Sequence, residues 1–87
     1  MATEIQVKYK EKNYTVNVEE DNSIKLESIK HIDKNAVGLA HYNLGDAFRK
    51  KVLADSEGIL RTREKWLKEV RLVIKEPDTN KTIVIDQ

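Results

Sequence analysis

Cysteine is absent from the 87 residues. Its absence excludes a disulfide framework, a thiolate nucleophile and zinc-finger spacing, and leaves stability to packing and hydrogen bonds, which fits the cytosol or nucleus. Long apolar runs are missing as well. None approaches the ~20 residues needed to span a bilayer, and the opening Met1-Ala2-Thr3-Glu4 lacks the basic and apolar regions of a signal peptide, so neither membrane nor export is expected. Glycine occurs only at the isolated positions Gly38, Gly45 and Gly58, which build no phosphate-cradling loop and no nucleophile turn. The two histidines, His31 and His41, fall in no metal-ligand spacing such as HExxH. The expectation is therefore no catalytic residue, no metal, no cofactor, and a chain that is not an enzyme.

What is present is a short, highly charged sequence. A chain of 87 residues makes one domain, able to bury roughly 60% of the surface its unfolded form exposes, so two layers are the realistic limit. The formal net charge of +1 conceals a partition. Residues 1–46 hold six lysines against eight acidic side chains, a net of −2, whereas residues 47–87 hold ten basic against seven acidic, a net of +3. Such an imbalance commonly just decorates solvated surfaces. Displayed on opposite faces, however, it would draw identical copies together in one orientation, with more effect on steering than on strength.

The pattern along the chain opens with a hairpin. Ile5, Val7 and Tyr9 alternate with polar residues, as do Tyr14, Val16 and Val18, and the short polar connection around Glu11, Lys12 and Asn13 favours antiparallel pairing. A one-residue slip would turn that apolar set to water, which holds the register. Glu19 to Ser23 offer capping oxygens and negative charge for a helix whose rough apolar stripe is Ile24, Leu26, Ile29 and Ile32, ending near Asp33 with Asn35 as a left-handed stop. Val37, Leu39 and His41 then alternate as a third strand, with Tyr42 out of phase and facing the other way. Strand, turn, strand, helix, strand is the opening of an α+β, ubiquitin-like β-grasp, a mixed sheet with one main helix packed on one face.

Residues 46–54 stay open between helix and strand. Leu44, Phe48 and Val52 recur every four residues behind Asp46, the spacing of an amphipathic helix. A helical turn is expected from Thr62 through Trp66 to Glu69. Val70, Leu72 and Ile74 alternate next, Glu76-Pro77-Asp78-Thr79-Asn80 makes a turn, and Ile83 with Ile85 completes a last strand. No repeat or linker divides residues 1–87.

Taken in order, the first two strands, the acidic turn Glu19-Glu20-Asp21-Asn22, Gly38-Leu39-Ala40-His41-Tyr42-Asn43, Glu57-Gly58-Ile59-Leu60, Trp66 and Pro77 with Asp78 and Asn80 resemble the amino-terminal domain of the TAR DNA-binding protein family. The likeness covers about 80 positions and rests on collinearity, since each short piece is unspecific. It implies a ubiquitin-like module that joins copies head to tail and so concentrates RNA-recognition domains of a longer parent protein, in nuclear RNA processing with shuttling to the cytoplasm. The family resemblance also implies an extended path for Ser56 to Arg61. On that likeness the acidic face is Glu19, Glu20 and Asp21, and the basic face is Arg49, Lys50 and Lys51. Departures from the family pattern are Thr15 for an acidic residue on the second strand, lysine at 50 or 51 for an arginine, Leu53 or Ala54 for a second arginine, and Asp46 or Ala47 at a serine position. Lysine lacks the planar fork of arginine, so each substituted pair is expected to be weaker and more sensitive to salt.

Two other readings compete. Residues 49–71 carry eight basic against four acidic side chains, and Arg61, Arg63 and Lys65 beside Trp66 form a candidate nucleic-acid contact in which the indole stacks a base. No paired aromatics and glycines of the RNA-recognition strand motif accompany them, and such a tryptophan is more often a core anchor. Alternatively, the domain is a ubiquitin-like adaptor for a different protein partner, a role the fold alone cannot distinguish. Tyr9 and Tyr14 sit in the apolar register and are expected in the core.

Overall fold

A computed structural model describes residues 3–45, 47–62 and 65–85. Strands β1 (Thr3–Tyr9) and β2 (Lys12–Val18) form the hairpin, paired Ile5 to Val16 and Val7 to Tyr14, so the apolar alternation of both strands falls on one face. The turn between them is tighter than the sequence suggests. It consists of Lys10 and Glu11 alone, with φ of 47° and 68°, the left-handed pair of a two-residue hairpin turn built without glycine or asparagine.

The segment after the hairpin departs from expectation. Ile24–Lys25 are a two-residue strand, β3, and the helix α1 is only Leu26–Lys30, with Lys25 as its N-cap and no capping side chain. Pairing explains the shift. Ile24 and Lys25 lie antiparallel to Leu60 and Ile59 of β6 (Ile59–Leu60), and the Leu26 N–H donates to the Gly58 carbonyl at 2.9 Å, so the partner of the first helical N–H is backbone rather than the acidic turn. Asn35 is not the left-handed stop either. Its N–H donates to Asp33 Oδ1 at 2.8 Å, and the left-handed asparagines are Asn22 and Asn80.

Strand β4 (Ala36–Tyr42) is the centre of the second half. Ala36, Leu39, Ala40 and His41 are all buried, because β4 has strands on both sides and its apolar run continues across both faces. Beside it lies β5 (Lys50–Leu53), antiparallel, with Lys50 opposite His41 and Val52 opposite Leu39. The open choice over residues 46–54 thus resolves as a strand at 50–53. The four-residue spacing of Leu44, Phe48 and Val52 makes no helix: Gly45 has φ of 94°, the unpaired side of β4 takes Val52 as a strand residue, and Leu44 and Phe48 stay in water.

The chain closes with β7 (Glu69–Lys75), parallel to β1 and antiparallel to β4, and β8 (Thr82–Val84), antiparallel to β7. The order is β2-β1-β7-β4-β5, with β8 on β7 beyond the end of β1. One short helix packs on this six-stranded mixed sheet, an α+β fold of β-grasp type. The expected helical turn through Trp66 is absent at 62 and 65–68. The Leu67 N–H donates instead to His41 Nδ1 on β4 at 3.2 Å; Arg63 and Glu64 lie outside the described residues.

Between helix and sheet Ile24, Ile29, Leu39, Leu60 and Leu72 are fully buried, with Val7, Val16, Val18 and Val70 around them. Tyr9 is buried as expected, and Tyr14 packs half-buried at its margin. Tyr42 points to the opposite face, where the Arg49 guanidinium lies 4.8 Å over its ring and Arg71 Nε donates to its hydroxyl at 3.3 Å. Among the described residues no helix is long and apolar enough to cross a membrane.

Candidate surface of opposed charge

The acidic turn is a built structure. Asn22 N–H donates to the Glu19 carbonyl and Glu19 N–H to the Ser23 carbonyl, both at 2.9 Å, while Asn22 takes φ of 70°. Asp21 Oδ1 accepts from the Ser23 hydroxyl at 2.5 Å and from the Ser23 N–H at 3.1 Å. Those two bonds, the hydroxyl first, hold the Asp21 carboxyl below the usual carboxylate range. Of the three acidic residues singled out from the sequence, Asp21 shapes the turn, whereas Glu19 and Glu20 direct their charge outward. Glu19 also reaches Lys25 Nζ at 3.9 Å, a long pair between exposed groups.

The basic residues lie at the start of β5. Arg49, Lys50 and Lys51 are all exposed; Arg49 folds onto Tyr42, and Lys50 and Lys51 begin the edge strand. The sheet order puts β2, which leads into the acidic turn, on one edge and β5 on the other. Four inter-strand steps separate them, about 19 Å at the usual spacing. Strand direction adds a second constraint. The register sets Lys51 level with Ala40, Arg71, Lys8 and Asn13 in turn, so the acidic turn, which follows Val18, lies on the opposite edge and about 16 Å or more further along the strands.

The other candidate contacts are dispersed. Arg61 donates through Nε to Asp55 Oδ2 at 3.0 Å and through Nη2 to Glu57 Oε2 at 3.2 Å, so its charge is matched within its own turn. The same guanidinium, with the Ile59 and Glu57 N–H groups, keeps the Asp55 carboxyl low. Trp66 is half-buried: its Nε1–H donates to the Asn22 carbonyl at 3.0 Å and its ring lies 4.9 Å from that of His41. Lys65 is exposed beside it, and Arg63 lies outside the described residues. Among the described residues no group of three His, Asp or Glu side chains is arranged to hold a metal ion. His41 is buried and His31 exposed at the helix end.

Sequence reasoning missed several structural anchors. The Asp55–Arg61 clamp had a readable signal in Asp-Ser-Glu-Gly, an Asx-type turn ending at Gly58 with φ of 74°. The bond from the Tyr9 hydroxyl to Asp33 Oδ2 at 2.5 Å, across 24 residues, had none. No protein-family profile matches the chain, and neither a curated protein nor a solved structure matches it.

Proposed function

We propose that this domain is a protein–protein interaction module that associates with itself head to tail, the role implied by the resemblance to the amino-terminal domain of TAR DNA-binding proteins. RNA then belongs to other domains of a parent protein, in the nucleus. The observation that carries the reading is the placement of Glu19 and Glu20 at one edge of the sheet and Lys50 and Lys51 at the other. With that placement, translation by about one sheet width sets the basic edge of one copy against the acidic turn of the next and leaves both outer surfaces available for further copies, the condition for a chain rather than a closed pair.

Sedimentation across protein concentration at low and high salt tests it. Wild-type protein is expected to grow in mass with concentration at low salt and to return towards monomer as salt rises. E19K/E20K and K50E/K51E should each stay monomeric alone, yet a mixture should grow again with concentration, because every surface of one variant meets a surface of opposite sign on the other. Monomer at all concentrations up to millimolar at low salt removes the proposal.

A further inference from the structure

Beside the acidic turn lies a groove of about 260 Å3 lined by Thr3, Ile5, Val18, Asn22, Lys65 and Trp66. Val18 and Asn22 bracket Glu19, Glu20 and Asp21 in the sequence, so the apolar groove and the outward carboxylates share one wall. That wall is preorganised. Ile5 and Trp66 pack on the core, and the indole is fixed by its bond to the Asn22 carbonyl and by the His41 ring.

At the opposite edge, Leu44 and Phe48 are 81% and 85% exposed, the largest exposures among the large apolar side chains described. Phe48 is the sole phenylalanine of the chain, and it stands two residues ahead of Lys50, on the segment that enters β5. An isolated exposed leucine needs no explanation, whereas two large apolar side chains exposed on one connection beside a basic stretch call for one. The two edges therefore carry matching composite features: an apolar side chain next to cations on one, an apolar groove next to carboxylates on the other.

We infer that Phe48 of one copy seats in the Trp66 groove of the next, an apolar anchor around which the Lys50/Lys51 and Glu19/Glu20 charges form the rim. This rests on the head-to-tail reading above and adds two surfaces which that reading does not require. A second copy is the occupant because the cations flanking Phe48 match the carboxylates flanking the groove, and a desolvated aromatic centre with a charged rim is the usual anatomy of a specific contact. Lys65 on the groove wall is placed to lie against the incoming ring.

Trp66 is the only tryptophan, so its emission reports the groove directly. Concentration series of wild type, F48A, T3R and K50E/K51E are followed by sedimentation and by Trp66 emission at low and high salt. F48A should weaken association roughly ten- to hundredfold with the salt dependence kept, and only wild type should show an emission shift on assembly. Thr3 is exposed on the groove wall, so T3R should obstruct the groove and reproduce the loss, while F48A mixed with T3R should form a heterodimer and nothing larger. Wild-type assembly with F48A equally tight and Trp66 emission flat overturns the anchor and leaves the charge-led chain standing; loss in F48A without effect in T3R places Phe48 elsewhere and also overturns it. A wild type that never assembles removes both.

Discussion

Replacing Gly38 by alanine should detach the edge strand on which the basic surface is built. A Cβ at this position collides with the Val52 carbonyl oxygen and meets the Leu53 Cα at 2.9 Å and Leu53 Cδ2 at 3.0 Å. Two of those atoms are backbone of β5, so no side-chain rotation relieves the clash. Relief requires β5 to move outward by roughly 1 Å, lengthening the ladder that pairs Gly38 with Leu53 and Leu39 with Val52. Overpacking in a core costs about 1–3 kcal/mol, and a backbone clash belongs at the upper end. Near 3 kcal/mol, a domain of this size should lose about 12–24 °C in Tm. Urea and thermal unfolding measure the total, and hydrogen exchange of the β5 amides locates it. Gly58→Ala provides the contrast: its φ is 74° but the nearest atom to the added Cβ is 4.0 Å away, leaving only left-handed strain of about 1–2 kcal/mol. G38A losing under 1 kcal/mol with β5 amides still protected would refute the close-approach argument.

Other consequences are checkable by similar means. The Tyr9–Asp33 bond holds the Asp33 carboxyl below its ordinary range and pushes the Tyr9 phenol up, in both cases chiefly through that bond. Tyr9→Phe should therefore cost about 1 kcal/mol at neutral pH, solvent limiting the value. Its deficit should shrink as pH falls from about 4 through the depressed Asp33 pKa, and again as pH rises beyond about 10 through the raised Tyr9 pKa, as seen in urea midpoints against pH. Trp66→Phe loses the bond to the Asn22 carbonyl and part of the contact with His41, a loss of about 2 kcal/mol in chemical denaturation. Lys10→Asn with Glu11→Gly supplies the residues that two left-handed positions favour, and should stabilise the hairpin by about 1 kcal/mol.

Where side chains alternate, the sequence was legible. The period-two runs of β1 and β2 placed their apolar residues on the core face, whereas on β7 Val70 and Leu72 are buried as expected, Ile74 is half-buried, and Val73 on the other face is fully buried as well. Reading failed where tertiary pairing outweighed local pattern. Ile24 fits a helical stripe, yet Leu60 offers it a strand partner 36 residues away, and no local rule reports that offer. Leu44 and Phe48 show the converse: their helical spacing with Val52 leaves the segment open between helix and strand, and the open side of β4 takes Val52 into the sheet and leaves both in solvent. The charged surface was partly legible. Charge sign and sequence position were visible, but their placement on opposite edges depends on a strand order that only the fold supplies.

The magnitudes explain why a charge-only contact and an anchored one predict different molecules. Exposed ion pairs contribute about 0–1 kcal/mol each, and at ~0.15 M salt screening acts over about 8 Å. Two lysine–glutamate pairs therefore supply too little to hold a chain at micromolar concentration, where about 8 kcal/mol is needed. Lysine sharpens the difficulty, since a hydrated point charge lacks the two-pronged hold of a guanidinium. A buried aromatic changes the division of labour. Phe48 seated in the groove would bury on the order of 150–250 Å2 and set how long a contact lasts, while Lys50, Lys51, Glu19 and Glu20 set how fast and in which orientation copies meet. In kinetic measurements the two contributions separate: F48A should raise the dissociation rate with little change in association, and charge reversal should do the opposite.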